Sequence, residues 1–295
     1  MKKINNGSSA PPRLDIQQSW WAMNGIGNGV REWITEEKVE KIAEAGFTGI
    51  NGFLPPQEKQ EEWHNLLEKY QLSFSICAYP WNREELSTLL KQAQDFGVQH
   101  VNSQVMDSFV IGEEAVQLLK ELTEEAERFG TTHFVETHRG RITQDLLRTV
   151  DYVKAIPNLS LTIDFSHYVV SGEMVGDIFR AEPFFNELLQ RCGCIHGRVS
   201  NGEQVQVDIG PNGEHPMLNR FKGWWKQGME NWLMDAKVGD IFPFVCELGP
   251  PGYAITKNSY SKGNMEEISD RWEQSLLLKR IAEEQWAECV QGLAE

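Results

Sequence analysis

Along the chain, polar stretches with helical spacing give way to short apolar runs, and a glycine usually stands at the join. The phrase recurs as EAGFTGI at Gly46, DFGVQHV at Gly97, RFGTTHFV at Gly130, RCGCIHGRV at Gly193 and VGDIFPFV at Gly239. Glycine just past a helix supplies a left-handed residue at low steric cost, and a short loop then feeds a strand. Helix starts recur as well. Thr35 opens TEEKVEKIAEA as an N-cap with two glutamates in the first turn. Asn82, with Glu85 three residues on, is close to a capping box.

The apolar runs predict strands at 14–20, 47–53, 72–78, 98–104, 132–136, 159–164, 194–199 and 241–247, each followed by a helical segment. Eight strand–helix beats without a break in composition predict an α/β fold, a single (β/α)₈ TIM barrel over 13–295. Residues 1–12 read as a loose, disordered polar lead-in. A doubly wound sheet would normally carry a glycine-rich phosphate turn after its first strand. The glycines of WAMNGIGNGV (Gly25, Gly27 and Gly29) have the wrong spacing for that, so the segment reads as a rim loop. The longest irregular stretch is 200–220, and a loop of that length in a compact domain is usually functional or mobile.

Composition narrows the function. A chain of 295 residues, 40% hydrophobic, can build one large core. A net charge of −15 argues against a nucleic-acid partner, because phosphate backbones need a basic surface. No run approaches the roughly 18 apolar residues of a membrane span, and the N-terminus lacks an apolar signal region. The five cysteines are odd in number and irregularly spaced, and Cys77 and Cys246 lie in apolar strands. That pattern suits a reduced, cytoplasmic protein. Cys192 and Cys194 have no second pair with which to complete a zinc site.

In barrel enzymes the chemistry sits at the C-terminal ends of the strands. There the fifth predicted strand delivers Glu136 and His138 (FVETHRGR), and the sixth Asp164 and His167 (LTIDFSH). The seventh delivers His196 and Arg198 (CIHGRVSN), and the eighth Glu247 (FVCELGPPG). Each has a bland reading alone. A rim carboxylate caps a helix or pairs with a base, and Asp164 is placed to cap the helix that follows it. Jointly, Glu136, Asp164, His196 and Glu247 are four metal-capable side chains on consecutive strands. Burying three carboxylates without a cation costs several kcal/mol per unpaired charge. One divalent ion is therefore expected on these four. Three oxygen donors and one imidazole form a hard set, which suits Mn²⁺ first, with Mg²⁺, Co²⁺ and Zn²⁺ as alternatives.

The succession FVETH…LTIDFSH…CIHGRVSN…FVCELGP resembles the sugar phosphate isomerase/epimerase branch of the xylose isomerase-like TIM-barrel superfamily. That branch includes ketose 3-epimerases and inosose isomerases. The resemblance extends over essentially the whole chain, with its specific part at 132–250. It implies that Glu136 and Glu247 exchange protons with the substrate while binding the metal, and that His167 and Arg198 touch substrate oxygens. After His196 the more usual H-x-x-D is replaced by HGRVSNGE.

The chemistry agrees with that resemblance. Removing a proton beside a carbonyl builds negative charge on oxygen, and a divalent ion stabilises the resulting enediolate. A carboxylate on each face can take a proton and return one. The expected protein is thus a metal-dependent sugar or cyclitol isomerase/epimerase with Glu136 and Glu247 as the acid/base pair. Trp20, Trp21, Tyr79, Trp81, Asn102, Gln104 and His138 are candidate substrate contacts. Trp224, Trp225 and Trp232 have helical spacing and read as core or interface, and a homo-oligomer is among the expected states. No Arg/Lys cluster stands near the last two strands, which favours a non-phosphorylated substrate. A lyase acting on a keto-sugar or keto-inositol would share the first half-reaction. An apurinic endonuclease would need histidines that GFLPP and CAYPW do not contain. A non-catalytic sugar sensor would not need four intact ligands.

Overall fold

The computed structural model describes residues 2–258 and 265–292. Its barrel strands are β2 (Arg13–Ser19), β3 (Gly49–Gly52), β4 (Ser73–Ala78), β5 (Val101–Ser103), β6 (His133–Glu136), β7 (Leu161–Ile163), β8 (Cys192–Gly197) and β9 (Asp240–Cys246). They pair in parallel in chain order, and β9 returns to β2 through the register Arg13–Ile241 to Gln18–Cys246. The ring is therefore closed, as a (β/α)₈ barrel requires. The helices outside it are α1 (Thr35–Glu44), α2 (Gln60–Tyr70), α3 (Arg83–Phe96), α4 (Gly112–Phe129), α5 (Leu146–Ala155), α6 (Ser166–Ser171), α7 (Glu182–Leu189), α8 (Leu218–Leu233) and α9 (Arg271–Gly292).

Local signals account for most element ends. Asn82 Oδ1 accepts from the Glu85 amide at 2.9 Å, while Glu85 accepts from the Trp81 amide at 2.9 Å. Thr35 is not an N-cap but the first helical residue of α1. The cap position is Ile34, whose amide donates to the Glu37 carboxylate at 2.9 Å. Gly46, Gly97, Gly130 and Gly239 all have positive φ, between +71° and +83°. Gly193 breaks the phrase. It lies inside β8, where an added Cβ would stand 2.3 Å from the Phe134 ring, so it answers barrel crowding and not helix termination.

The first residues also differ from the expected loose lead-in. Strand β1 (Ile4–Asn5) pairs antiparallel with β9, and Asn5 donates to Asp240 Oδ1 at 2.7 Å. Ile4 joins Phe134, Cys194, Ile241 and Val245 in a small apolar cluster distinct from the main core. The main core lies between strands and helices and includes the buried Trp224, Trp225 and Trp232 of α8. Unexpectedly, residues of neighbouring strands also share a polar network. Asp15 is fully buried and accepts from Thr48 at 2.8 Å, Ser73 at 2.6 Å, Gln17 at 2.8 Å and Gln99 at 3.0 Å. Those partners satisfy a carboxylate that would otherwise be expensive to bury.

Candidate active site

The four strand-end side chains meet. Glu136 is the last residue of β6, Asp164 follows β7 by one residue, His196 lies in β8, and Glu247 follows β9 by one. One donor atom from each of the four falls within 4.8 Å of every other, and all four residues are buried. Two ligands each about 2.0–2.6 Å from one ion stand at most about 4–5 Å apart, so this spread is that of a coordination sphere. His196 Nδ1 is 3.1 Å from Glu247 Oε2 and 3.8 Å from Glu136 Oε2.

Asp164 stands one residue before Phe165, the N-cap of α6. Its Oδ1 accepts from the Ser166 amide at 3.0 Å and the Ser166 hydroxyl at 2.5 Å, at the start of α6. Its Oδ2 is buried without a hydrogen-bond partner. Such an orphan acceptor, set among two further carboxylates and an imidazole, fits a divalent cation by position and by donor chemistry.

The surroundings set the carboxylates apart. Burial raises the Glu136 carboxyl above the usual range, and the neighbouring Glu247 and Asp164 charges add to this. Burial alone would raise Glu247 too, but His196 and Arg198 outweigh it and hold that carboxyl low. Asp164 is raised, chiefly by burial. The His196 imidazole is raised well above its ordinary value, because Glu247 and Glu136 overcome the effect of burial.

The other expected contacts divide. Arg198 is buried at the site, 3.5 Å from Asp164, and His167 Nε2 lies 3.4 Å from its Nη1 and 3.6 Å from Asp164 Oδ2. The His138 and His167 rings have centroids 3.8 Å apart, and with Glu136 they form a second cluster of metal-capable groups. Asn102 is buried and donates to Glu136 Oε2 at 2.6 Å, so its amide nitrogen holds a carboxylate. Gln104 reaches the same carboxylate at 3.3 Å. Trp20 packs its ring 4.7 Å from Trp63 and is not among the cavity-lining residues; its neighbour Trp21 lines the cavity instead.

That cavity has a volume of about 340 Å³ and opens directly above Glu247 and Arg198. It is walled by Trp21, Phe53, Tyr79 and Tyr253, with His138, Gln104 and Arg141 among the polar groups. Tyr253, Phe53 and Arg141 were not singled out in the sequence. Tyr253 follows GPPG directly after the last strand, and Arg141 closes FVETHRGR, so both sit in rim loops whose signal was present. Tyr253 spans the site. Its hydroxyl is 3.3 Å from His138 Nε2, and the Arg198 guanidinium lies 4.8 Å from its ring centre.

The chain belongs to the xylose isomerase-like TIM barrel family, whose model matches residues 39–203, more than half of its length. Among solved structures, that of L-ribulose 3-epimerase is similar at 12% identity and TM-score 0.58, covering 96% of this chain and 97% of that one. The probable 3-DHS dehydratase AsbF, involved in petrobactin synthesis in Bacillus anthracis, is similar at 15% identity and TM-score 0.57, covering 91% and 97%. An AP endonuclease, family 2, from Brucella melitensis is similar at 16% identity and TM-score 0.51, covering 82% and 94%. At such identities the likeness is one of fold. Comparison with curated protein sequences finds no match. Among the described residues, no helix is long and apolar enough to cross a membrane.

Proposed function

We propose that this protein is a divalent-metal-dependent isomerase or epimerase acting on a small polyhydroxylated ketone, a sugar or a cyclitol. The observation that carries the reading is the convergence of Glu136, Asp164, His196 and Glu247, one donor atom from each within 4.8 Å of every other, beneath a cavity of about 340 Å³ that Glu247 lines. Two glutamates in that cluster offer a carboxylate for each face of a bound ketone.

In the proposed scheme Glu247 enters ionised and Glu136 enters with a proton on one of its two carboxyl oxygens. Glu247 then takes a proton from the carbon beside the carbonyl, and Glu136 returns one from the other side or to the neighbouring carbon. In the reverse direction their roles exchange. Arg198 and His167 donate to substrate oxygens, while Trp21 and Tyr253 wall the reacting carbons from water. Asn102 holds Glu136 in place through its 2.6 Å hydrogen bond. A divalent ion, Mn²⁺ first or Mg²⁺, held by Glu136, Asp164, His196 and Glu247, would supply Lewis-acid stabilisation of the negative charge that develops on oxygen.

The test is proton–deuterium exchange in heavy water from a panel of ketoses and keto-inositols, with metal analysis of the purified protein. The expected result is one divalent ion per chain and exchange that stops on chelation and returns on metal addition. Exchange indifferent to chelation would refute the reading. Release of water or another leaving group from the product would identify the lyase instead, since that reaction begins with the same proton abstraction.

A further inference from the structure

Of the charged side chains that line the cavity, Glu247 and Arg198 are bonded to each other. Arg141 is the remaining one, and no ion pair involves it among the described residues. Its only side-chain hydrogen bond there runs from Nη1 to the Met106 carbonyl at 3.2 Å, one donor of the five a guanidinium offers. The group lies 5.1 Å from the centre of the Tyr79 ring, which in turn stacks on Phe53 at 6.2 Å. Tyr79 and Phe53 are each more than two-fifths exposed, so the three form the outer wall of the cavity. Arg139 adds a second cation nearby, 5.4 Å from the Tyr253 ring centre and likewise outside any ion pair among the described residues.

The inner end of the cavity is acidic by contrast, with Glu136, Asp164 and Glu247 clustered beside the one guanidinium of Arg198. The excess positive charge therefore lies at the mouth, in a protein whose net charge of −15 repels anions at long range. A neutral polyol needs no such cation. A planar guanidinium with free donors, braced on an aromatic face, is instead suited to two-point recognition of an oxyanion.

We propose that the substrate carries an anionic group, a carboxylate or a phosphate, at the end remote from its reacting carbons, and that Arg141 receives it at the mouth of the cavity. This rests on the cavity being the substrate site of the proposed function. It revises the expectation of a non-phosphorylated substrate, which considered only the last two strands; Arg139 and Arg141 follow the fifth.

The experiment is calorimetric binding to the full-length, Mn²⁺-loaded protein, using pairs that differ in charge on one skeleton. Quinate is set against its methyl ester, and fructose 6-phosphate against fructose. In at least one pair the charged member should bind about tenfold tighter or more. Which pair shows it distinguishes a carboxylate from a phosphate. Arg141→Gln should abolish the preference while leaving affinity for the neutral member and metal content unchanged, and Arg141→Lys should restore part of it. The proposal is overturned if neither pair shows a preference or if the preference survives in Arg141→Gln. It is also overturned if both members weaken equally with a fall in Tm, since that is what a residue merely bracing the Met106 turn would do. Failure to bind a divalent ion would overturn the proposed function, yet an anion preference that vanishes with Arg141 would still stand.

Discussion

Arg198 and Glu247 are joined twice: the Arg198 Nε donates to the Glu247 backbone carbonyl at 2.8 Å, and Nη2 donates to its carboxylate. Both residues are buried, and Asp164 lies 3.5 Å from the same Nη2. One fixed cation thus orders two carboxylates from different strands. Removing it should leave a cluster of three acids facing one another. Arg198→Met is expected to lower the stability of the metal-free protein by about 3–5 kcal/mol, the usual cost of breaking a buried pair. Added divalent ion should recover more of the loss than it adds to wild type. Calorimetric Tm values with and without metal decide this, and equal metal gains in both proteins would contradict it.

Ligands and substrate contacts should separate on mutation. Asp164→Asn and His196→Ala are expected to lose the ion and the stabilisation it brings, since metal binds the folded state alone. His167→Ala should keep the ion and lose turnover. Metal content by mass spectrometry, read beside Tm, checks the split. If His167→Ala comes out as metal-free as Asp164→Asn, the cluster of Glu136, His138 and His167 is the better metal site.

Glu136→Gln and Glu247→Gln keep shape and a donor oxygen but remove the proton-transfer group. From a given substrate, one variant should still wash deuterium into the recovered substrate without forming product, and the other should do neither. The roles should exchange when the reaction is run from the product. Near wild-type turnover in both would move the proton transfer to His138 or His167.

Metal affinity should rise with pH. In the metal-free protein Glu247 and Glu136 raise His196 well above its ordinary value, so the imidazole holds a proton that must leave before the ring can serve as a ligand. The sign for stability is opposite. The favourable charge of His196 is fully present below the ordinary imidazole value and is lost as pH rises through the raised one. Titrations with Mn²⁺ at about pH 6 and about pH 8 should give tighter binding at the higher value, with protons released as the ion binds. Affinity independent of pH would show that His196 is neutral in the metal-free state.

Gly193→Ala tests the correction at β8. The new Cβ would fall 2.3 Å from the Phe134 ring, a collision that strand and ring must both shift to relieve. A loss of about 1–3 kcal/mol is expected from overpacking, measured by urea denaturation. A neutral substitution would show that the Phe134 ring moves aside at no cost and that crowding does not explain this glycine.

How much was legible in the sequence follows from which interactions are local. The strand count, the barrel and the four converging residues were readable, because an apolar run that ends in a polar side chain reports burial and its boundary at once. Helix ends were readable where one residue contacts its near neighbours, as at Asn82 and Glu85. Register and facing were not. Trp20 and Trp21 are adjacent at a strand end, and only the way the chain leaves β2 turns the second into the cavity and the first onto Trp63. The same limit hid the antiparallel pairing of Ile4 with Ile241, the ring behind Gly193, and the polar partners of Asp15. It also hid what Asn102 touches, since its side chain meets Glu136 across two strands 34 residues apart in sequence. The sequence by itself determined which residues could do chemistry and at which end of the barrel. Tertiary structure decided which charges face one another, because Coulomb and hydrogen-bond energies depend on distances of a few ångströms that no spacing along the chain encodes.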